Sequence, residues 1–382
     1  MTAYIVTFLV TLFFSYIDER NLLKEKPNRL KHIIMVAFII MLPAVLAGLR
    51  DYSIGTDVQI YAKSVFEYAV RSSSVNSVLE RYSELEPGFL MLAFIVSRIT
   101  SSVHFFLFSI AFIIQLFVYL ALYRTRNYCS IFMGESVYLF LIYNASLNMM
   151  RQTIAMAILL FALTYLFEKK YLISLIWIFI GFFFHNSIII GLLYFPVFIF
   201  FNGRKYANDN VSGRKTRVWF GFKTLLVIIA VTVVTASFQP LMLLLGKFGI
   251  ISDRYSIYLS TENSSIRWTF FFAYIVCYLI VYLRKNKNKQ GYFFLTIGLI
   301  DIVIYRLKYI MYYLYRISTY YMICRIFSLT QARIDFGKIL CTGKISKDEL
   351  VAIITWLVCF IQWFMFIAIN NDHATMPYKF FF

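Results

Sequence analysis

The sequence predicts an all-α, polytopic membrane protein, and three observations lead there. Of its 382 residues, 61% are hydrophobic and only 15% charged, whereas a soluble domain is nearer half apolar and a quarter charged. Apolar runs recur from end to end and are continuous, not alternating, which excludes a barrel and leaves helices as the way to satisfy the backbone in lipid. Lysines and arginines gather in the short connections, so the formal net charge of +18 reads as a signal of membrane topology and not of nucleic-acid binding.

Taken in order, spans are predicted at 3–17, 31–49, 103–123, 130–148, 152–168, 171–185, 187–201, 218–238, 267–283, 291–305, 317–332 and 350–369. The first run has neither a basic leader nor a small-residue cleavage site and is read as a retained span. The basic connections "IDERNLLKEKPNRLK", "RTR" at 124–126, "EKK" at 168–170, 204–217, 284–289 and 333–347 are assigned to the cytoplasm, which places both termini outside. Residues 86–100 are apolar for only about a dozen positions, so they are read as a re-entrant segment on the outer side. About 12 transmembrane helices result, in one integral membrane domain spanning 1–382, with long outer loops at 50–87 and 239–266. The cysteines at 129, 277, 324, 341 and 359 form no CxxC pair and read as small buried apolar residues.

This topology brings cationic side chains to one depth. Arg50 ends the second span in "AGLRDYSIGTDVQIY", Arg151 opens a span in "NASLNMMRQTIAMAI", and Arg267 and Arg316 open two later ones. His185 and Asn186 lie at an outer turn in "GFFFHNSIII". An arginine at a helix end can snorkel to headgroups, and a histidine in a turn can be structural. Several outer arginines on separate helices nevertheless suggest a shared anionic ligand, because the guanidinium fork binds phosphate oxygens in pairs. Asp57, before Tyr61, and Glu86, in "ELEPGF", can orient an arginine, bind sugar hydroxyls or act as a base; for Asp57 the alternative is a helix N-cap after the Gly-Thr turn. Ala155 and Ala162 let a neighbouring helix approach the one that carries Arg151. Asp301 is a carboxylate inside a span, with Arg306 or Lys308 as expected partners. The aromatic helix "YIMYYLYRISTYY", with Tyr320, offers faces for sugars or serves as an interfacial belt. No His/Asp cluster has ligand spacing, so neither a metal nor a cofactor is expected.

Together, "GLRDYSIGTDVQIY", "ELEPGFLML", "NMMRQTIAMAILLFA", "FFFHNSIIIGL", "YRISTYY" and "MPYKFFF" resemble the EpsG/Wzy family of polysaccharide polymerases, in the family's order and over nearly the whole chain. The resemblance implies a GT-C-like glycosyltransferase of the bacterial inner membrane. Such an enzyme joins repeat units of O-antigen, capsule or exopolysaccharide on undecaprenyl diphosphate at the periplasmic face. It implies roles for Arg50, Gly55, Thr56, Asp57, Arg151, Gln152, His185 and Arg316. Its partners would be undecaprenyl-diphosphate-linked glycans as donor and acceptor, a flippase, a chain-length regulator and membrane lipid, with no nucleic acid. Fixed arginines would stabilise the departing diphosphate, with His185 or Asp57 as the base. An O-antigen ligase is the next reading. A flippase or exporter should instead carry charge through the midplane, often with repeat symmetry. An O-acetyltransferase would need its histidine on the cytoplasmic side.

Overall fold

A computed structural model describes residues 1–202, 214–247, 275, 289–307 and 314–382. Among them the secondary structure is helical, apart from one isolated antiparallel bridge between Arg50 and Phe380. Five helices are long and apolar enough to cross a membrane: α1 (Thr2–Leu22), α2 (Arg29–Gly48), α6 (Val103–Thr125), α9 (Met150–Phe167) and the last, Lys347–Ile369. Shorter apolar helices lie between them. α5 covers Pro87–Ser97, α7 Ile131–Leu141, and α10 Tyr171–Phe182; a 3-10 segment, Asn186–Leu193, leads into α11 (Tyr194–Asn202). α12 covers Arg214–Lys247 and α13 Lys289–Leu307.

Local sequence explains the helix starts. The side chains of Asn28, Ser102 and Ser130 accept the orphan amides of Lys31, Phe105 and Met133 at the first turns of α2, α6 and α7. Ser346 and Glu349 form a reciprocal capping box on the last helix. Pro87 begins α5, where its missing N–H costs nothing.

The packing is that of a protein surrounded by hydrocarbon. α9 sits between α6 and α10, and Ala155 and Ala162 on it are fully buried. Large apolar side chains face outward, including Leu9 and Phe13 on α1, Leu172 and Phe179 on α10, and Val233 and Val234 on α12, while Gln115, Glu135, Asn144 and Thr153 are buried inside. Water would not tolerate so continuous an apolar surface, whereas lipid does. The chain is therefore a polytopic membrane protein.

Helix ends sort onto two faces of the bundle. At one, the start of α1 meets the C-terminal tail, with Tyr4 donating to the Thr375 carbonyl at 3.0 Å and its ring 5.1 Å from that of Tyr378. The end of α2 and the 50–57 loop join them through the Arg50–Phe380 bridge and the Gly55 amide, which donates to the Ala374 carbonyl at 3.0 Å. The opposite face carries paired charges: Arg20 with Asp335, Arg124 with Glu168, and Arg333 with Glu19.

Several boundaries differ from the sequence expectations. The span expected at 130–148 is two helices, α7 and α8 (Tyr143–Asn148), broken at Ile142; below, Asn148 proves to serve the site, which a straight helix would carry elsewhere. Residues 317–332 form two short helices, α14 (Leu314–Met322) and α15 (Arg325–Ser328). The loop expected at 239–266 is helical as far as Lys247, with Pro240 carried inside α12; its remainder, the span at 267–283 apart from residue 275, and Cys277 lie outside the described residues. The loop 50–87 is built from short helices, among them α3 (Lys63–Arg71) and α4 (Val75–Arg81). α5, at 11 residues, is about 16 Å long and too short to cross alone. Asp301 is met by Arg325 at 2.6 Å, because α15 folds back against α13; the side chains of Arg306 and Lys308, the partners expected for it, lie outside the described residues. Cys341 is exposed, unlike the buried Cys129, Cys324 and Cys359.

Reporter fusions check the shared face. Fusions at Ser73 and Asp372 should report the same side of the membrane; opposite sidedness would contradict the arrangement of helix ends.

Candidate functional site

The site forms where four segments end on one face. Pro87 and Gly88 start α5 so tightly against the end of α10 that the Gly88 amide donates to the Phe183 carbonyl at 2.7 Å. A Cβ on Gly88 would lie 2.7 Å from that same oxygen, so only glycine fits. This contact sets Glu86, just before α5, beside His185, just after α10. His185 Nδ1–H donates to Glu86 Oε1 at 2.6 Å, which leaves Nε2 as the ring nitrogen that can accept a proton. The other carboxylate oxygen of Glu86 takes Arg151 Nη1 in an ion pair. Burial alone would raise the Glu86 pKa, but the His185 hydrogen bond and the positive charge of Arg151 outweigh it and hold the carboxyl below its ordinary value.

Arg151 also lies over the ring of Tyr61, with 4.6 Å from its guanidinium carbon to the ring centroid. The Tyr61 hydroxyl donates to Asp57 Oδ2 at 2.6 Å. Asp57 caps no helix with its side chain, so the N-cap alternative is set aside. Burial raises its pKa; the Tyr61 hydrogen bond and then the charges of Arg151, Arg316 and Arg50 oppose that. Three arginines thus reach one carboxylate electrostatically.

The Gly-Thr turn sets this loop. Gly55 has φ +82, and a Cβ there would come within 2.4 Å of the Leu147 carbonyl. Thr56 donates to Asn148 Oδ1 at 2.7 Å, and the Asp57 amide donates to the same oxygen at 3.3 Å. On α9, Gln152 donates to the Arg316 carbonyl at 2.9 Å and to Thr319 Oγ1 at 2.7 Å, tying α14 to the site. Arg316 itself is exposed. Tyr320 is buried, and its carbonyl receives the Tyr194 hydroxyl.

Arg50 is different. It is 1% exposed, forms no ion pair among the described residues, and has no hydrogen-bond partner on Nε or Nη1; Nη2 reaches Met150 Sδ at 3.5 Å. Burial lowers its pKa, opposed by the surrounding Tyr143, Tyr4, Tyr378 and Tyr61.

The sequence profile of the EpsG family matches residues 33–380, which is nearly the whole chain. The protein belongs to the EpsG family. No curated protein and no solved structure matches it significantly. Of the residues that the sequence put forward in this EpsG-family chain, Asp57, Tyr61, Glu86, Arg151 and His185 share one connected network. Gly55, Thr56, Gln152, Arg316 and Arg50 adjoin it. Asn186 is exposed beside His185, and Arg267 lies outside the described residues. Asn148, Tyr4 and Tyr143 were not anticipated; "SLNMMR" held the first in plain view, but no local pattern reports the two tyrosines beside Arg50. Among the described residues, no group of three or more His, Cys, Asp or Glu gathers as a metal site would require.

Replacing Glu86 tests the network. Glu86→Ala should destabilise the purified protein by on the order of 2 kcal/mol, since Arg151 and His185 lose their shared carboxylate. Because the folded-state pKa of Glu86 is lowered, its contribution is complete above the ordinary value of 4.5 and vanishes as pH falls through the lowered one. Thermal unfolding should therefore separate variant from parent at neutral pH and bring them together in strong acid. Gly55→Ala, forced to a positive φ and into the Leu147 carbonyl, should destabilise the loop by about 1–3 kcal/mol.

Proposed function

We propose that this EpsG-family protein is a polysaccharide polymerase, a glycosyltransferase that joins undecaprenyl-diphosphate-linked repeat units at the periplasmic face of the bacterial inner membrane. About twelve crossings and a GT-C-like arrangement belong to this reading, as do O-antigen, capsule or exopolysaccharide as products. The observation that carries it is the partly unpaired cation at the site: Arg50 is buried with no ion pair among the described residues, and Arg151 shares the single carboxylate of Glu86 with His185. More cation than carboxylate suits an anionic ligand, and a diphosphate matches the guanidinium fork. The positive-inside rule supports the orientation, since the face opposite the site holds most of the basic connections.

An apolar cavity of about 620 Å³ supports a lipid-linked substrate. It is lined by residues such as Ile190, Leu193, Val227, Ile304, Ile317 and Tyr321. Ile317 follows Arg316 directly, so a prenyl chain in the cavity would leave its diphosphate near that arginine.

In this mechanism an acceptor-sugar hydroxyl attacks the anomeric carbon of the donor. His185 Nε2 takes the hydroxyl proton, and the bond from the anomeric carbon to the diphosphate oxygen breaks. The departing lipid diphosphate carries the electron pair away and gathers negative charge, which the fixed arginines stabilise where it develops. Glu86 holds the imidazole in the required tautomer and stabilises the imidazolium that forms. Asp57, hydrogen-bonded to Tyr61, suits the orientation of arginines and sugar hydroxyls better than proton abstraction.

Alanine at Arg50, Arg151 or Arg316 should lower polymer formation by about a hundred-fold or more while the protein still inserts; lysine should rescue only partly, lacking the planar fork. His185→Gln should be inactive yet bind the lipid-linked substrate, whereas Arg151→Ala should lose binding as well. Wild-type polymer ladders from both would sink the assignment. A deletion strain showing single repeat units in place of a ladder separates a polymerase from a ligase, which would leave the core bare. With arginines neutralising the diphosphate, turnover by the purified protein should survive a chelator; loss restored by Mg²⁺ would overturn that part.

A further inference from the structure

Residues 371–382, the tail that follows the last helix, are bound closely to the site face. Thr375 is fully buried: its carbonyl accepts from Tyr4, its Oγ1 from Asn144 Nδ2 at 2.9 Å, and its amide donates to Asn371 Oδ1 at 2.8 Å. Asn144 is in turn held by Trp363 Nε1 at 2.9 Å. Beyond this anchor the tail runs over the end of α2. The Tyr378 hydroxyl donates to the Leu46 carbonyl at 2.6 Å, the Asp51 amide to the Lys379 carbonyl at 2.9 Å, and the Phe381 amide to the Leu49 carbonyl at 3.1 Å. The last two bonds bracket Arg50.

That placement is costly unless the charge beneath has a use. An uncompensated guanidinium taken out of water costs several kcal/mol, and Arg50 has two nitrogens with no hydrogen-bond partner among the described residues. A carboxylate in place of Tyr378 would neutralise it. The tail brings Tyr378 instead, its ring 5.1 Å from that of Tyr4 and its hydroxyl on the Leu46 carbonyl; with Tyr143, Tyr4 and Tyr61 it favours the charged form of Arg50. Phenol groups confine a cation without cancelling its charge, so the charge stays available to an anion arriving from the Asp57 side.

We propose that residues 371–382 are a working part of the anion site, and that Tyr378 is a positioning residue that fixes Arg50 for a prenyl-linked diphosphate. This rests on the diphosphate reading above. Through its bond to Leu46 and the two backbone bonds, the tail sets the direction in which Arg50 leaves α2; through Ala374 it holds Gly55 and hence the Asp57 turn.

The test is binding of farnesyl diphosphate to the purified full-length protein in detergent. The variants are Tyr378→Ala, a chain ending at Met376, Arg50→Ala and Arg151→Ala, each checked by thermal unfolding. Tyr378→Ala and the shortened chain should each weaken binding by about ten-fold or more, and should add almost nothing in an Arg50→Ala background, because they act through that residue. A tail that merely stabilises the fold would give losses that add to that of Arg50→Ala. Such additivity, or parental affinity in Tyr378→Ala, overturns the inference; Tyr378→Ala decides the matter if the shortened chain does not insert. If the parent does not bind the probe, or Arg151→Ala binds it as the parent does, the diphosphate reading fails and takes this inference with it.

Discussion

One carboxylate, that of Glu86, ties together segments that are far apart along the chain. It meets His185 with one oxygen and Arg151 with the other, so the start of α5, the end of α10 and the start of α9 cannot move independently. Such a hub is economical in a membrane protein, where each unpaired charge near hydrocarbon is expensive. It also makes the chemistry cooperative, because the same group that neutralises an arginine sets the tautomer of the histidine. The close approach of Gly88 to the Phe183 carbonyl is what puts the hub within reach of both partners.

The two faces of the bundle follow different electrostatic rules. On the face opposite the site, Glu19, Asp335, Glu168 and Glu349 meet Arg333, Arg20, Arg124 and Lys338, so these carboxylates are balanced locally within a face rich in Lys and Arg. On the site face Arg50 is confined by phenols and backbone, and Arg151 by a single shared carboxylate. On the proposed function, that imbalance would be the stored cost of a site ordered before its anion arrives, leaving little reorganisation when charge builds.

The sequence made the helices legible where hydrophobic length alone decides, as in α1, α2, α6 and α9, and it found the arginines and His185 because charge at the end of an apolar run is conspicuous. It failed where tertiary contact decides. The break at Ile142 serves Asn148, whose oxygen holds Thr56 and Asp57 from more than ninety residues away. Arg325 reaches Asp301 through the packing of α15 on α13, which no i,i+4 rule reports. Glu86 carried several roles in the sequence reading because a carboxylate before a proline suits them all; only the approach of α10 selects one. The tail motif "MPYKFFF" was visible as a resemblance, yet its hold on Arg50 depends on strand-like pairing with residues 49–51 across the whole length of the chain.

The short helix α5 has a consequence for the surrounding bilayer. Its 11 residues reach about half of a hydrocarbon core roughly 30 Å thick, while Met91 and Ile95 are exposed along it. Lipid beside α5 meets a step in hydrophobic thickness and must thin or tilt to follow it, at a fraction of a kcal/mol per Å of mismatch. Because Glu86 stands at the head of this helix, acyl-chain length couples directly to the placement of the hub, and the protein's behaviour becomes a function of the membrane it inhabits. Reconstitution in short-chain and long-chain phosphatidylcholine bilayers would read that coupling as a change in turnover without any change in sequence.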